Sequence, residues 1–305
     1  MAGKLPGGDQ WWPSRYGPDD EIGTLNEVVP ARIVDAARLV RTGKVYDLGR
    51  TLHADVPRFE GRFWRQTLVS SAHLINARRP GGGGGWGANR LNWITELVTG
   101  TLQIGTQLDG LNHLQIGDRF YNGLRAADIV EEWGTRKLGI ETVPPVIARG
   151  VMVDVARHRG IARLEAGDVI TIDDVEGALR VQETTVGSGD VVLFHTGWGA
   201  LWDVDPGRFT AGEPGAGMPV AGWLVDRHVA MTGADTWSFG AVPGEDPDRP
   251  FLVPQTLNVV HGLFIMENLA TEALSADRIY EFMFVLTHHK TRGSTAAIIA
   301  PAAVI

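Results

Sequence analysis

From Gln103 to His113 the chain reads Gln-Ile-Gly-Thr-Gln-Leu-Asp-Gly-Leu-Asn-His, and this stretch restricts the fold more than any other. As a strand it would alternate, with Leu102, Ile104, Thr106 and Leu108 facing one way and Gln103, Gly105, Gln107 and Asp109 the other. The first face suits a core. The second sets two carboxamides and a carboxylate around Gly105, which has no side chain to fill the space, so that face suits a site. Asp109-Gly110 is turn chemistry, and the chain is expected to bring the His113 imidazole back toward Asp109.

The 305 residues, 44% of them apolar and 21% charged, can bury a large core. The formal net charge is -8 and the basic residues form no long runs, which argues against nucleic acid and against an anionic membrane surface. Small-molecule chemistry fits better. The chain has no cysteine, so disulfides, thiolate nucleophiles and thiolate metal sites are excluded, and any metal must rely on nitrogen and oxygen donors. Met1 to Asp20 contains no apolar signal region, and no later run approaches the roughly 20 apolar residues of a membrane span. These features point to an unexported, cytoplasmic protein.

The spacing of apolar residues predicts a helix over Pro30 to Val40 and another over Pro219 to Arg227, each with proline at or near its start. Strands are expected at Val45 to Leu52, Leu91 to Thr99, Thr101 to Asp109, Gly150 to Val155, Val169 to Ile172, Val191 to His195, Val229 to Gly233 and Leu263 to Met266. Two longer β-rich segments follow, Ile279 to His289 and Ala296 to Val304. The strands on either side of Gly100 could form a hairpin or one bent strand. The glycine run within Arg79 to Gly87 must be loop; its formal G-x-G-x-x-G lacks a strand-to-helix setting, so no nucleotide cofactor is expected. No linker divides the chain, and residues 1–305 are expected to form a single domain on which 1–44 packs as an N-terminal extension.

Serine-hydrolase elbows, Walker sequences and H-E-x-x-H are absent. Of the nine histidines, His113 is the one placed beside other polar groups. Phe63, Trp64, Trp86, Trp93, Tyr121 and Trp198 are candidate walls for a planar ligand, or ordinary core packing. Arg58, Arg62 and Arg65 could bind an acidic group or form a solvated face.

The run from Gln103 to His113 resembles the H-x-G-T-H-x-D-x-P-x-H signature of the cyclase or kynurenine-formamidase-like metal-dependent hydrolases, a family that includes isatin hydrolases. Gly105, Thr106, Asp109 and His113 match at the right spacing. Further blocks resemble the family in the same order: Asp20 to Asn26, Phe120 to Gly123, Val192 to Trp198, Gly233 to Thr236 and Gly262 to Leu269. The resemblance implies a mixed α/β fold of the swivelling β/β/α type, with a central β-barrel-like core and flanking helices. It also implies a homodimer or homotetramer with pockets near subunit contacts.

By the same resemblance, Asp109, His113 and Glu267 are the candidate catalytic residues. With Gln107 they are also the candidate ligands of a divalent ion, Mn, Zn or Mg. Two family histidines are replaced here by Gln103 and Gln107, and a third is missing from the region that reads Pro254-Gln255. A neutral amide is a weaker donor than imidazole, so metal binding is expected to be weakened or lost. Gln103, Gln107, Trp86 and Tyr121 are the candidate substrate contacts. The first expectation is a hydrolase that opens a cyclic or aryl amide, lactam or lactone with activated water. The alternatives are a metal-independent cyclase or dehydratase of secondary metabolism and a non-catalytic ligand-binding descendant.

Overall fold

The computed structural model describes residues 10–71, 87–91 and 93–305. Its principal strands are β1 (Val45–Asp47), β2 (Trp64–Ser71), β3 (Ile94–Gly100), β4 (Gln107–Asp109), β5 (Val146–Asp154), β6 (Val191–His195), β7 (Met231–Ala234), β8 (Phe264–Glu267), β9 (Glu281–Leu286), β10 (Ala296–Ile298) and β11 (Ala302–Val304). All but β2 and β3 join one 9-stranded sheet in the order β1-β11-β9-β5-β6-β7-β8-β4-β10. The chain thus adopts the expected mixed α/β architecture: a large sheet curled into a half-barrel, with flanking helices.

The middle of the sheet, β5-β6-β7-β8, is parallel. Its strands read as nearly continuous apolar runs because both faces are covered. Val192, Phe194 and Ile265 pack with Val175 and Ala178 of α1 (Ile172–Val181) and with Val220 and Leu224 of α2 (Met218–Asp226). The alternate residues Val191, Leu193, Phe264 and Met266 enter a second core with Leu108, Phe282 and Phe284. Helix α1 is fixed at its start by a capping box between Thr171 and Asp174. Because the four strands run the same way, Asp154, His195, Asp235 and Glu267 gather along their carboxyl ends, where ligands bind in sheets of this kind.

Three strand expectations change. The segment before Asp109 is extended only from Gln107, because Gly105 takes a left-handed φ of +67° that breaks the strand ahead of it. Strand β3 pairs with β2 rather than with the chain that follows it, and this hairpin exposes Leu68, Ile94, Leu97 and Val98. The segment Ala296 to Val304 divides around Pro301, which has no N–H for a ladder, so that β10 pairs with β4 and β11 joins β1 to β9. Trp86 and nearly all of the glycine-rich stretch lie outside the described residues. Among the described residues, no helix is long and apolar enough to cross a membrane.

Candidate active site

Strand β4 lies between β8 and β10 and is antiparallel to both. Its register sets Gln107 opposite Glu267 and Leu108 opposite Met266. Directly paired residues share a face, so Leu108 and Met266 enter the core while Gln107, Asp109 and Glu267 stand together on the other side. Gln107 Nε2 donates to Asp109 Oδ1 at 3.1 Å and to Glu267 Oε2 at 2.8 Å. Gln107 Oε1 is buried and has no partner among the described residues.

Gly105 and Thr106 hold this arrangement in place without entering it. Asn268, the residue after Glu267, donates from Nδ2 to the Gly105 carbonyl at 2.8 Å, and Thr106 Oγ1 donates to the Asn268 carbonyl at 2.8 Å. After Asp109 the chain turns as expected, with the Gly110 N–H donating to the Thr295 carbonyl at 2.8 Å and the His113 N–H donating to the Gly110 carbonyl at 3.1 Å. Gln103 Nε2 donates to Thr295 Oγ1 at 2.8 Å and lies 3.3 Å from His113 Nδ1.

Gln107, Asp109, His113 and Glu267 line a cavity of about 250 Å³ whose other walls include Phe59, Arg62, Trp237, Phe251 and Pro254. The rings of Phe59 and Trp237 meet edge to face, centroids 4.5 Å apart, and Trp237 meets Phe251 at 6.1 Å. Such walls suit a flat, largely apolar ligand with a few polar atoms. Burial pushes the Glu267 carboxyl well above the usual range, and the neighbouring Asp109 charge pushes it further. Burial also raises Asp109, although His113 and Arg62 oppose the shift. Burial and mutual repulsion therefore push the pair as a whole toward holding a proton.

Gln103 stands behind His113 rather than in the cavity wall. Tyr121 does not reach the cavity either. Its hydroxyl donates to Asp20 Oδ2 at 2.7 Å and meets Ser14 Oγ, and its ring belongs to the core that also holds Leu108, Phe282 and Phe284. Trp198 is likewise core, with Nε1 donating to the Phe209 carbonyl. Phe59, Trp237 and Phe251 come from separate parts of the chain, and no local pattern marked them; the ring cluster exists only once the sheet is assembled.

The residues present do not fit a divalent ion. Among the described residues, no three His, Asp or Glu side chains form a metal-sized cluster. Gln107 turns an N–H donor, not a lone pair, toward both carboxyls. Arg62 adds a fixed positive charge to the same cavity. With amides at two positions where the family's motif has imidazoles, the donor set is poor for a tightly held ion.

Residues 46–241 match the cyclase family. No curated protein matches the sequence. A crystal structure of a novel cyclase is 30% identical, with a TM-score of 0.85, and the match covers 96% of this chain and 98% of that one. Isatin hydrolase A from Ralstonia solanacearum is 18% identical over 90% of this chain and 97% of its own, with a TM-score of 0.62. A predicted metal-dependent hydrolase from Bacillus stearothermophilus is 17% identical over 86% and 98%, with a TM-score of 0.52. The two distant likenesses show a common fold. On the family match and the 30% identity over nearly its whole length, the chain belongs to the cyclase family.

Proposed function

We propose that this protein is a hydrolase that adds water to the carbonyl of a cyclic or aryl amide, lactam or lactone, using the Asp109–Glu267 carboxyl pair in place of a bound ion. The observation that carries the proposal is a pair of buried carboxyls, bridged by the Gln107 amide, at the wall of an aromatic-lined cavity of about 250 Å³. Such a pair can act as base and acid at once. Asp109 takes a proton from water as the new C–O bond forms. Glu267 delivers its proton to the leaving nitrogen or oxygen. Gln107 Oε1, buried without a partner, can accept a substrate N–H or hold the water.

The fold supports the reading, because relatives that share it include isatin hydrolases, one of them solved with the product analogue thioisatinate. The test is ring opening of isatin, followed by absorbance, beside a panel of aryl amides and lactones. Turnover should survive chelator and be lost in Asp109→Asn. A stoichiometric metal in the active protein, or full activity in Asp109→Asn, would sink the proposal.

A second reading is favoured by the relative named a novel cyclase. The same acid and base could close a ring with loss of water. Open-chain acids would then be consumed faster than cyclic amides. Tight binding of such compounds without conversion would instead indicate a ligand-binding descendant.

A further inference from the structure

Water addition to a carbonyl places negative charge on its oxygen, and a site without a metal needs another counter-charge for it. Arg62 lines the cavity with Asp109, His113 and Glu267. It is half-buried, its Nη1 donates to the Gln103 carbonyl at 3.0 Å, and its guanidinium lies 5.5 Å from the centre of the Phe59 ring. The loop that carries it is tied down at both ends, by the Arg62 N–H to the Phe59 carbonyl at 3.1 Å and by the Thr101 N–H to the Phe63 carbonyl at 3.0 Å. Gln103 therefore positions two groups at once, Arg62 through its backbone and His113 through its side chain. No ion pair engages Arg62 among the described residues, yet its charge is felt by both cavity carboxyls.

We propose that Arg62 is the electrophilic residue of this site, holding the scissile carbonyl oxygen and stabilising the oxyanion formed on water addition, a role that rests on the hydrolytic reading above. The charge balance favours this. Before the step, Asp109 is ionised and Arg62 offsets it. The water oxygen bonds to the carbonyl carbon, its proton passes to Asp109, and the carbonyl π pair moves to the oxygen. Asp109 loses a charge as the oxygen gains one, so the cavity total is unchanged and Arg62 now offsets the oxyanion. On collapse the carbonyl re-forms, the bond to the leaving atom breaks, and that atom takes the Glu267 proton. The new carboxylic acid releases its proton to solvent, and Asp109 returns its own to Glu267.

The experiment uses isatin and 4-nitrophenyl acetate as substrates, and phenylphosphonate and oxindole as binding probes. Phenylphosphonate is a tetrahedral anion; oxindole is planar and neutral. Arg62→Gln should lower kcat by about 10²- to 10³-fold, the usual loss for one oxyanion donor, with KM changed by less than about threefold. Arg62→Lys should fall between the two, and guanidinium added at millimolar concentration should partly restore Arg62→Gln. The Gln variant should bind phenylphosphonate at least about tenfold more weakly than the wild type and oxindole as well as the wild type does. A thermal midpoint within a few degrees of wild type shows that the variant is folded, and should it unfold, Arg62→Lys carries the same comparison. If Arg62→Gln keeps wild-type kcat and phenylphosphonate affinity while Asp109→Asn is inactive, Arg62 is not the electrophile and the hydrolytic reading stands. If Asp109→Asn is fully active as well, both fall. A rise in KM alone would make Arg62 a ground-state contact and overturn the proposal. If neither substrate turns over, the phosphonate comparison decides.

Discussion

Asp235 and the Asp109–Glu267 pair are all buried near the carboxyl ends of neighbouring strands, yet they are satisfied in different ways. Asp235 accepts from the Thr196 N–H at 3.0 Å, from Thr196 Oγ1 at 2.6 Å and from the Gly197 N–H at 2.9 Å. Glu213 is similar, accepting from the Ser238 N–H at 2.9 Å, from Ser238 Oγ at 2.6 Å and from the Trp237 N–H. These carboxylates hold turns together, and their lone pairs are taken up by the chain itself. Among the described residues, the Asp109 and Glu267 side chains share one amide donor, from Gln107, and both line a cavity. A raised pKa does not separate the two classes, since burial pushes up Glu213 as well as Glu267. Too few donors beside open space does separate them.

The largest effects should run in opposite directions across this divide. Asp109→Asn should lower kcat by about 10³-fold, within the range for loss of a general base, and leave the thermal midpoint unchanged or higher. Asp235→Ala should cost about 3 kcal/mol or more in urea unfolding, because it strands several N–H and O–H groups at about 1–3 kcal/mol each. If Asp109→Asn lost as much stability as Asp235→Ala, the cavity pair would be scaffold and the distinction would collapse.

The pH dependence of stability sharpens the same contrast. The folded state raises the pKa of Glu267, chiefly by burial, so its carboxyl binds a proton more tightly than in the unfolded chain. Its stabilising contribution is then complete below the ordinary carboxylate range and is lost as pH rises through the folded value. Asp174, held low by Arg159 and Thr171 against the opposing effect of burial, behaves oppositely and loses its contribution as pH falls. The wild type should lose stability in urea titrations as pH rises across neutral pH, and Glu267→Gln should flatten that decline. Parallel wild-type and variant curves would mean that the carboxyl pair does not hold its proton.

The parallel strands were legible in the sequence because a strand covered on both faces must be apolar throughout, as Val191 to Phe194 is. The turn at Asp109-Gly110 was legible from local chemistry. Asp109, Gln107, His113 and Glu267 meet as the motif implied, although strand alternation alone could not bring in Glu267, which is joined to Gln107 by register across 160 residues of sequence. The length of the strand before Asp109 was overestimated because alternation continues through Gly105, whose left-handed backbone breaks it. Tyr121 was drawn toward the cavity by its family block, whereas its hydroxyl serves Asp20. Phe59, Trp237 and Phe251 carry no local sign of a shared role; each is one aromatic in a loop until the sheet curls them together.

The smallest effect expected on the functional side belongs to Gln103, and it tests how far the site extends behind its wall. Gln103→Leu keeps the backbone carbonyl that holds Arg62 and removes only the side-chain bonds to Thr295 and His113. One such hydrogen bond is worth about 1 kcal/mol, or roughly fivefold in rate if it is fully expressed in the transition state. The expected result is a kcat reduced about fivefold across the pH–rate profile, because His113 loses the partner that orients its ring. A merely structural role for Gln103 would lower the thermal midpoint and leave the profile unmoved. A loss approaching that of Asp109→Asn would instead place His113 among the proton carriers and extend the functional region from the carboxyl pair to the whole turn.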